Sequence, residues 1–288
     1  MTYADAAALR MALEQRLRND AAAKEVRVDR LSRQVVFERV MIRLDLAQPG
    51  RWVLKGGMAL EARLGQAART TRDLDLGLRD AVIDGPTLRD DLIDALDTDP
   101  DHDHFVFRVG PPTRLATDEA GDTTWRFTIT SALDGREFVA LPVDISPRAH
   151  ELVTTQRVTL STALDFAGVG ARTVEIIDVN RHFAEKIHAL TTTFSDRPNT
   201  RVRDLVDLVL LIEHKLVDAP AARAELETVF NSRSGRTVPV MIEDPPEFWS
   251  ERYEALAAET EVRARTLPEA LALLRATWAT ISTTTSEF

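Results

Sequence analysis

Leu54-Lys55-Gly56-Gly57-Met58-Ala59-Leu60, followed by Arg69-Thr70-Thr71-Arg72-Asp73-Leu74-Asp75-Leu76, is the stretch on which the fold turns. Residues 51–54 read as a short apolar strand. The two glycines then turn the chain into a helix over 58–64 that Gly65 closes. Residues 72–78 alternate polar and apolar, as a strand with one buried face does. On such a strand Asp73 and Asp75 project from the same side, with Cβ atoms roughly 7 Å apart. Two like charges so placed repel unless a cation lies between them, and Mg²⁺ favours a few carboxylates completed by phosphate oxygens. A glycine turn lets a phosphate approach the main chain, and a helix start offers unpaired N–H groups and partial positive charge. An acidic outward face on an edge strand and a turn without a ligand explain either piece alone. The two together, in this order and spacing, point to chemistry on a nucleoside triphosphate.

Working outward, residues 3–48 read as helical, with Val35, Val36, Val40, Met41, Leu44 and Leu46 as an apolar stripe and Pro49-Gly50 as the stop. Asp84-Gly85-Pro86 is a turn, with Thr87 read as the cap of a helix through Leu96. Residues 104–109, 123–131 and 136–145 read as strands, the last two joined by a hairpin at Asp134-Gly135. A short strand over 173–177 follows. From Asp178, the expected cap of a helix to about residue 193, the pattern turns helical: 198–214, 219–230, 246–259 and 267–281, with Thr266 as a cap and a frayed tail over 282–288. The expected organisation is N-terminal helices over 1–48 packing on the core, an α/β lobe over 49–174 and a helical lobe over 175–288.

Composition narrows the class. The chain has 288 residues, 44% hydrophobic and 28% charged, enough to bury a core in one large domain or two lobes. With no cysteine, disulfides, thiolate zinc sites and cysteine nucleophiles are excluded. Charges interrupt residues 1–20, so no secretion leader is read there, and no run has the length to span a membrane. A cytoplasmic location is the expectation. The net charge of −10 argues against a broad sequence-blind nucleic-acid binder. It leaves room for a local basic groove built from Arg172, Arg181, Lys186, Arg197, Arg201 and Arg203, a set that ordinary solvated helix surface explains equally well.

Further acids and one lysine extend the candidate site. Asp144 is the single acid in the apolar run Phe138-Val139-Ala140-Leu141-Pro142-Val143-Asp144-Ile145. If that strand lies beside the one carrying Asp73 and Asp75, Asp144 completes a three-carboxylate, two-metal arrangement; otherwise it sits exposed or capping at a strand end. Lys186 shares a helix face with His182, offering a point charge for a triphosphate or a plain surface lysine. His182 and His188 lack metal-ligand spacing. Asp204 and Asp207 share one face of a helix whose other side is apolar, where Arg203 could pair with Asp207 as a salt-bridged surface.

Taken together, Leu54 to Leu60, Arg69 to Asp75, Glu185-Lys186-Ile187-His188-Ala189 and Arg203-Asp204-Leu205-Val206-Asp207-Leu208 resemble the AbiEii/AbiGii family of nucleotidyltransferase toxins, which includes the MenT-like toxins of type IV toxin–antitoxin systems. The resemblance runs from about residue 51 to 211. It implies an α/β (α+β) fold: a polymerase-β-like nucleotidyltransferase core with a mixed sheet, plus a C-terminal helical lobe. It implies Mg²⁺, or Mn²⁺ in its place, and transfer of nucleotides from an NTP to an RNA acceptor, the tRNA 3′ end in related toxins. It implies nucleotide contacts from Lys55, Gly56, Gly57 and Lys186, metal binding by Asp73 and Asp75 with Asp144 as third acid, and catalytic or orienting roles for Lys186, Asp204 and Asp207. It also implies an antitoxin partner and makes Thr71, two residues before Asp73, a candidate for regulatory phosphorylation. A protein or small-molecule acceptor, and a non-catalytic NTP- or RNA-binding relative, remain the alternatives.

Overall fold

The computed structural model describes residues 3–80, 83–115 and 123–283. The chain divides into two compact units, Met1–Ala62 with Thr71–Ile176, and Arg63–Thr70 with Ile177–Phe288.

The first unit is built on a mixed sheet of eight strands among the described residues. They are β1 Trp52–Lys55, β2 Leu74–Leu78, β3 Val106–Val109, β4 Thr113–Arg114, β5 Trp125–Leu133, β6 Arg136–Pro147, β7 Thr155–Leu160 and β8 Arg172–Ile177. The order is β3-β5-β6-β2-β1-β8-β7, with β4 also paired to β5. Strand β2 runs antiparallel to β1 and parallel to β6, so the sheet is mixed at its centre. Register fixes the two faces. Leu54, Leu76 and Ile145 align as one apolar row, and all three are buried. One residue along each strand, the row is polar, because side chains alternate faces. Asp134 and Gly135 both take positive φ, +55° and +66°, the backbone of a tight hairpin turn joining β5 to β6.

Helices α1 (Ala6–Ala23), α2 (Val28–Ala47) and α4 (Gly85–Leu96) belong to this unit, as does α3 (Gly56–Leu64) up to Ala62. In α1 the side chain of Asp5 accepts from Ala8 N at 2.7 Å, and Leu9, Leu13, Leu17 and Ala21, spaced by four, are its buried stripe. Helix α2 departs from the expected simple stripe. Leu46 is exposed, whereas Glu38, Arg39 and Arg43 are buried. Their charges are matched: Arg43 donates to Asp103 at 2.6 Å and Arg39 to Asp101 at 2.8 Å and Glu38 at 2.7 Å. Buried charges persist only when paired in this way. The cap of α4 is Asp84, not Thr87: Asp84 accepts from Thr87 N at 2.8 Å, and Pro86 occupies the first turn. Strand β7 and the short β4 have no counterpart in the sequence reading, because neither alternates cleanly.

The second unit is helical: α5 Val179–Leu190, α6 Val202–Glu213, α7 Ala219–Ser234, α8 Trp249–Ala258 and α9 Leu267–Thr283. Asp178 caps α5 as expected, accepting from Asn180 N at 2.8 Å and Arg181 N at 3.2 Å. Helix α6 buries Val202, Leu205, Val206 and the run Leu208 to Leu211, so it is the core helix of this unit. In the first turn of α9, Glu269 accepts from Thr266 N at 3.0 Å and Arg265 N at 2.8 Å. Of the tail expected to fray over 282–288, Ser282 and Thr283 instead close α9, and the rest lies outside the described residues.

Candidate functional site

In the first unit the polar row crosses four strands. Lys55 on β1 is paired with Asp75 on β2, Asp75 with Asp144 on β6, and Asp144 with Arg126 on β5. Lateral neighbours in a sheet project to the same side, so two carboxylates lie between two cations. The strand order left open by the sequence is thus the one that sets Asp144 beside Asp75. Asp73 differs from the reading: it sits in the bend ahead of β2, which begins at Leu74.

Gly56 decides how close the helix start comes to this row. It opens α3 with φ +60°, and a Cβ there would overlap the Asp75 carboxylate. Only glycine combines that backbone with that approach. Gly57 follows in the first turn and is buried. Lys55 donates to the buried Glu151 at 3.1 Å, and Glu151 also accepts from Arg148 at 3.3 Å. Thr71 is part-buried in the irregular segment leading to Asp73.

Arg126, which the sequence did not single out, is the other organiser. Its Nε and Nη2 donate to the two oxygens of Asp144 at 2.6 and 2.7 Å, and Nη2 lies 3.8 Å from Asp73 Oδ2. The hydrogen bond to Asp144, followed by the charges of Asp144, Asp73 and Asp75, raises the guanidinium pKa above its usual value against the opposing effect of burial. Alternation along β5 places Arg126 on the polar face; its register against Asp144 was the unreadable part.

The donor chemistry here suits a hard divalent cation, since Asp73 and Asp75 offer carboxylate oxygen alone, and a guanidinium already rests against Asp73 and Asp144 as a positive charge. Among the described residues no group of three or more His, Asp or Glu is gathered to hold a metal. Asp144, the third acid expected from the sequence, has both oxygens engaged by Arg126 here. Two carboxylates completed by phosphate oxygens is the fit that remains.

The second unit holds a charged cluster of its own. Lys186 Nζ donates to Asp207 at 2.6 Å and to Asp204 at 2.9 Å. Arg69 grips Asp207 with two bonds of 2.8 Å each. The Asp207 side chain is fully buried and that of Lys186 is 7% exposed. Burial pushes the Asp207 carboxyl up, but Lys186 and Arg69 outweigh it and hold it below the usual range. Burial likewise pushes the Lys186 ammonium down, and Asp204 and Asp207 more than reverse this, despite the nearby charge of Arg69. All three groups are thus charged at neutral pH. Asp207 is paired with Lys186 and with Arg69, which comes from 138 residues earlier, rather than in the expected surface pair with Arg203, which is exposed. Arg69 was part of the quoted stretch without a role, because spacing cannot reveal a pairing at that separation. Of the basic set, Arg181 is buried against Glu225 at 3.3 Å and Glu185 at 3.5 Å, Lys186 is buried, Arg172 belongs to the first unit, and Arg197, Arg201 and Arg203 are exposed.

A family model for the nucleotidyl transferase AbiEii toxin of type IV toxin–antitoxin systems matches residues 39–284. The chain belongs to the AbiEii family. It is a nucleotidyltransferase with the mixed sheet that the family resemblance implied. Among solved structures, this AbiEii chain is similar to MenT4, a nucleotidyltransferase toxin from Mycobacterium tuberculosis H37Rv. The identity is 17%, the TM-score is 0.56, and 90% of this chain and 86% of that one are covered, which shows a shared fold. A protein from H. pylori described as a nucleotidyltransferase aligns at 16% identity over 84% of this chain and 87% of its own, with a TM-score of 0.38, too low to argue from. No curated protein matches. Among the described residues of this AbiEii chain no helix is long and apolar enough to cross a membrane.

Proposed function

We propose that the chain transfers nucleotides from an NTP to the 3′ end of tRNA in the cytoplasm. The observation that carries this is Asp75 set against a glycine-opened helix start, with Gly56 so close to it that no side chain fits, and Asp73 two residues before it in the bend that leads into β2. The acceptor 3′-hydroxyl attacks the α-phosphorus; the new O–P bond forms as the bond to pyrophosphate breaks, and the hydroxyl proton passes to solvent water. Asp73 and Asp75 would hold Mg²⁺ or Mn²⁺, which supplies charge neutralisation at the phosphates. The N–H groups at Gly56 and Gly57 favour the negative charge of the triphosphate, and Lys55, held by Glu151, adds a fixed cation behind them. Lys186, fixed between Asp204 and Asp207, is assigned the role of holding phosphate, with the two acids orienting the ammonium.

Each labelled NTP offered with purified tRNA and Mg²⁺ is expected to mark the RNA, with one NTP preferred, and sequencing of the RNA ends is expected to place the additions at the 3′ terminus. Label on protein alone would reject the RNA acceptor. That second reading, a protein or small-molecule acceptor, is favoured by the net charge of −10.

The family implies an antitoxin partner. We assign Thr71 as the residue through which such a partner could act. A phosphate there would place about −1.5 to −2 charge beside the metal-binding acids and repel an incoming triphosphate. Mass spectrometry of the inhibited protein after co-expression with the neighbouring gene product is expected to find Thr71 modified; unmodified Thr71 in fully inhibited protein rejects the assignment.

A further inference from the structure

The polar row places a permanent positive charge against two of the acids read as metal ligands. A guanidinium does not lose its proton in proteins, so Arg126 is always a cation. It engages both oxygens of Asp144 in a forked pair and reaches to 3.8 Å from Asp73. It stands on β5, on the far side of Asp144 from Asp75. Its side chain is 41% exposed, while that of Asp144 is only 15% exposed. The forked pair is a strong one, but its guanidinium partner is half-exposed, and a long side chain on a strand can swing away into solvent without moving the backbone. Asp144 is therefore the acid best placed to join Asp75 and the one least free to do so.

We propose that Arg126 is a built-in rival of the divalent cation, holding Asp144 out of the metal site until the metal displaces the guanidinium. This rests on the reading that Asp73 and Asp75 bind a divalent cation. Asp144 then becomes a ligand conditionally, and the protein without nucleotide binds metal more weakly than its acids alone would allow. A structural role for the pair, bracing β5 against β6, predicts instead that its loss loosens the sheet and leaves metal affinity unchanged or weaker.

The test is titration of Mn²⁺ into the nucleotide-free full-length protein, followed by calorimetry and by electron paramagnetic resonance of free Mn²⁺. Arg126→Gln is expected to bind Mn²⁺ about tenfold more tightly than the parent. Arg126→Lys, which keeps the charge and loses the fork, is expected to fall between. In the Asp144→Asn background the gain from Arg126→Gln should largely vanish; a mere loss of one positive charge would tighten both backgrounds alike, and that result would overturn the proposal. Circular dichroism confirms that each variant is folded, and Arg126→Lys serves where the glutamine variant is not. If Asp75→Asn abolishes Mn²⁺ binding while Arg126→Gln leaves it unchanged, the metal reading stands and the rival cation is rejected. If no variant binds Mn²⁺, both fall.

Discussion

Asp75→Asn is expected to lower nucleotidyl transfer by more than about a thousandfold, ~4 kcal/mol in the barrier, with the far-UV circular dichroism spectrum retained. Asn keeps the size of the side chain and removes its charge, so the apolar row of Leu54, Leu76 and Ile145 on the opposite face is untouched. What is lost is the affinity for a cation and, with it, the neutralisation of charge that phosphoryl chemistry depends on. Asp73→Ala is expected to have the same consequence. Gly56→Ala approaches the same carboxylate from the other side. The new Cβ would meet the Asp75 side chain, and φ +60° costs a residue with a side chain roughly 1–2 kcal/mol. It should therefore reduce activity and stability together, where Asp75→Asn reduces activity alone. Transfer that survives Asp75→Asn within about tenfold, ~1.4 kcal/mol, would remove this acid from the mechanism.

Asp207→Ala is expected to destabilise the protein by about 3–5 kcal/mol, the usual effect of removing one partner from a buried ionic cluster. Lys186 keeps Asp204, but Arg69 loses both of its bonds to Asp207. Asp207→Asn, which can still accept hydrogen bonds, should lose less. Urea unfolding followed by circular dichroism measures both; a loss under about 1 kcal/mol for the alanine variant would show that the cluster does not hold this unit together. The pH dependence has a definite sign. The folded pKa of Asp207 lies below its unfolded value, so its contribution is complete above the unfolded carboxyl range and disappears as pH falls through the folded value. The folded pKa of Lys186 lies above its unfolded value, so its contribution is complete below that value and disappears as pH rises through the folded one. The cluster stabilises through the neutral range and fails at both extremes.

Local patterns were legible where a single element carried them. The alternation Leu74, Leu76, Leu78 gave β2, the Asp134-Gly135 pair gave the hairpin, and Asp178 gave the start of α5. The glycine pair and the acids beyond it could be read because backbone freedom and charge are properties of the residues themselves. Register was not readable. Nothing near Asp144 in sequence says that Arg126 lies opposite it, and nothing near Asp207 announces Arg69. Charged residues in a core are unreadable for the same reason. Arg39 and Arg43 resemble solvated helix positions until Asp101 and Asp103 are brought up to neutralise them. Asp84 was read as a turn residue and Thr87 as the cap because both are good capping types three residues apart; Pro86, with no N–H to offer and a fixed φ, belongs just inside the helix and settles the choice.

Eight residues, Arg63–Thr70, are grouped with the helical unit although they precede most of the sheet in sequence. No single cut therefore separates the two units. A fragment beginning at residue 177 leaves Arg69 behind, and Asp207 would face its buried surroundings with only one of its two cations. The helical portion is completed by a splint borrowed from upstream, so no contiguous piece starting after the sheet carries all of it.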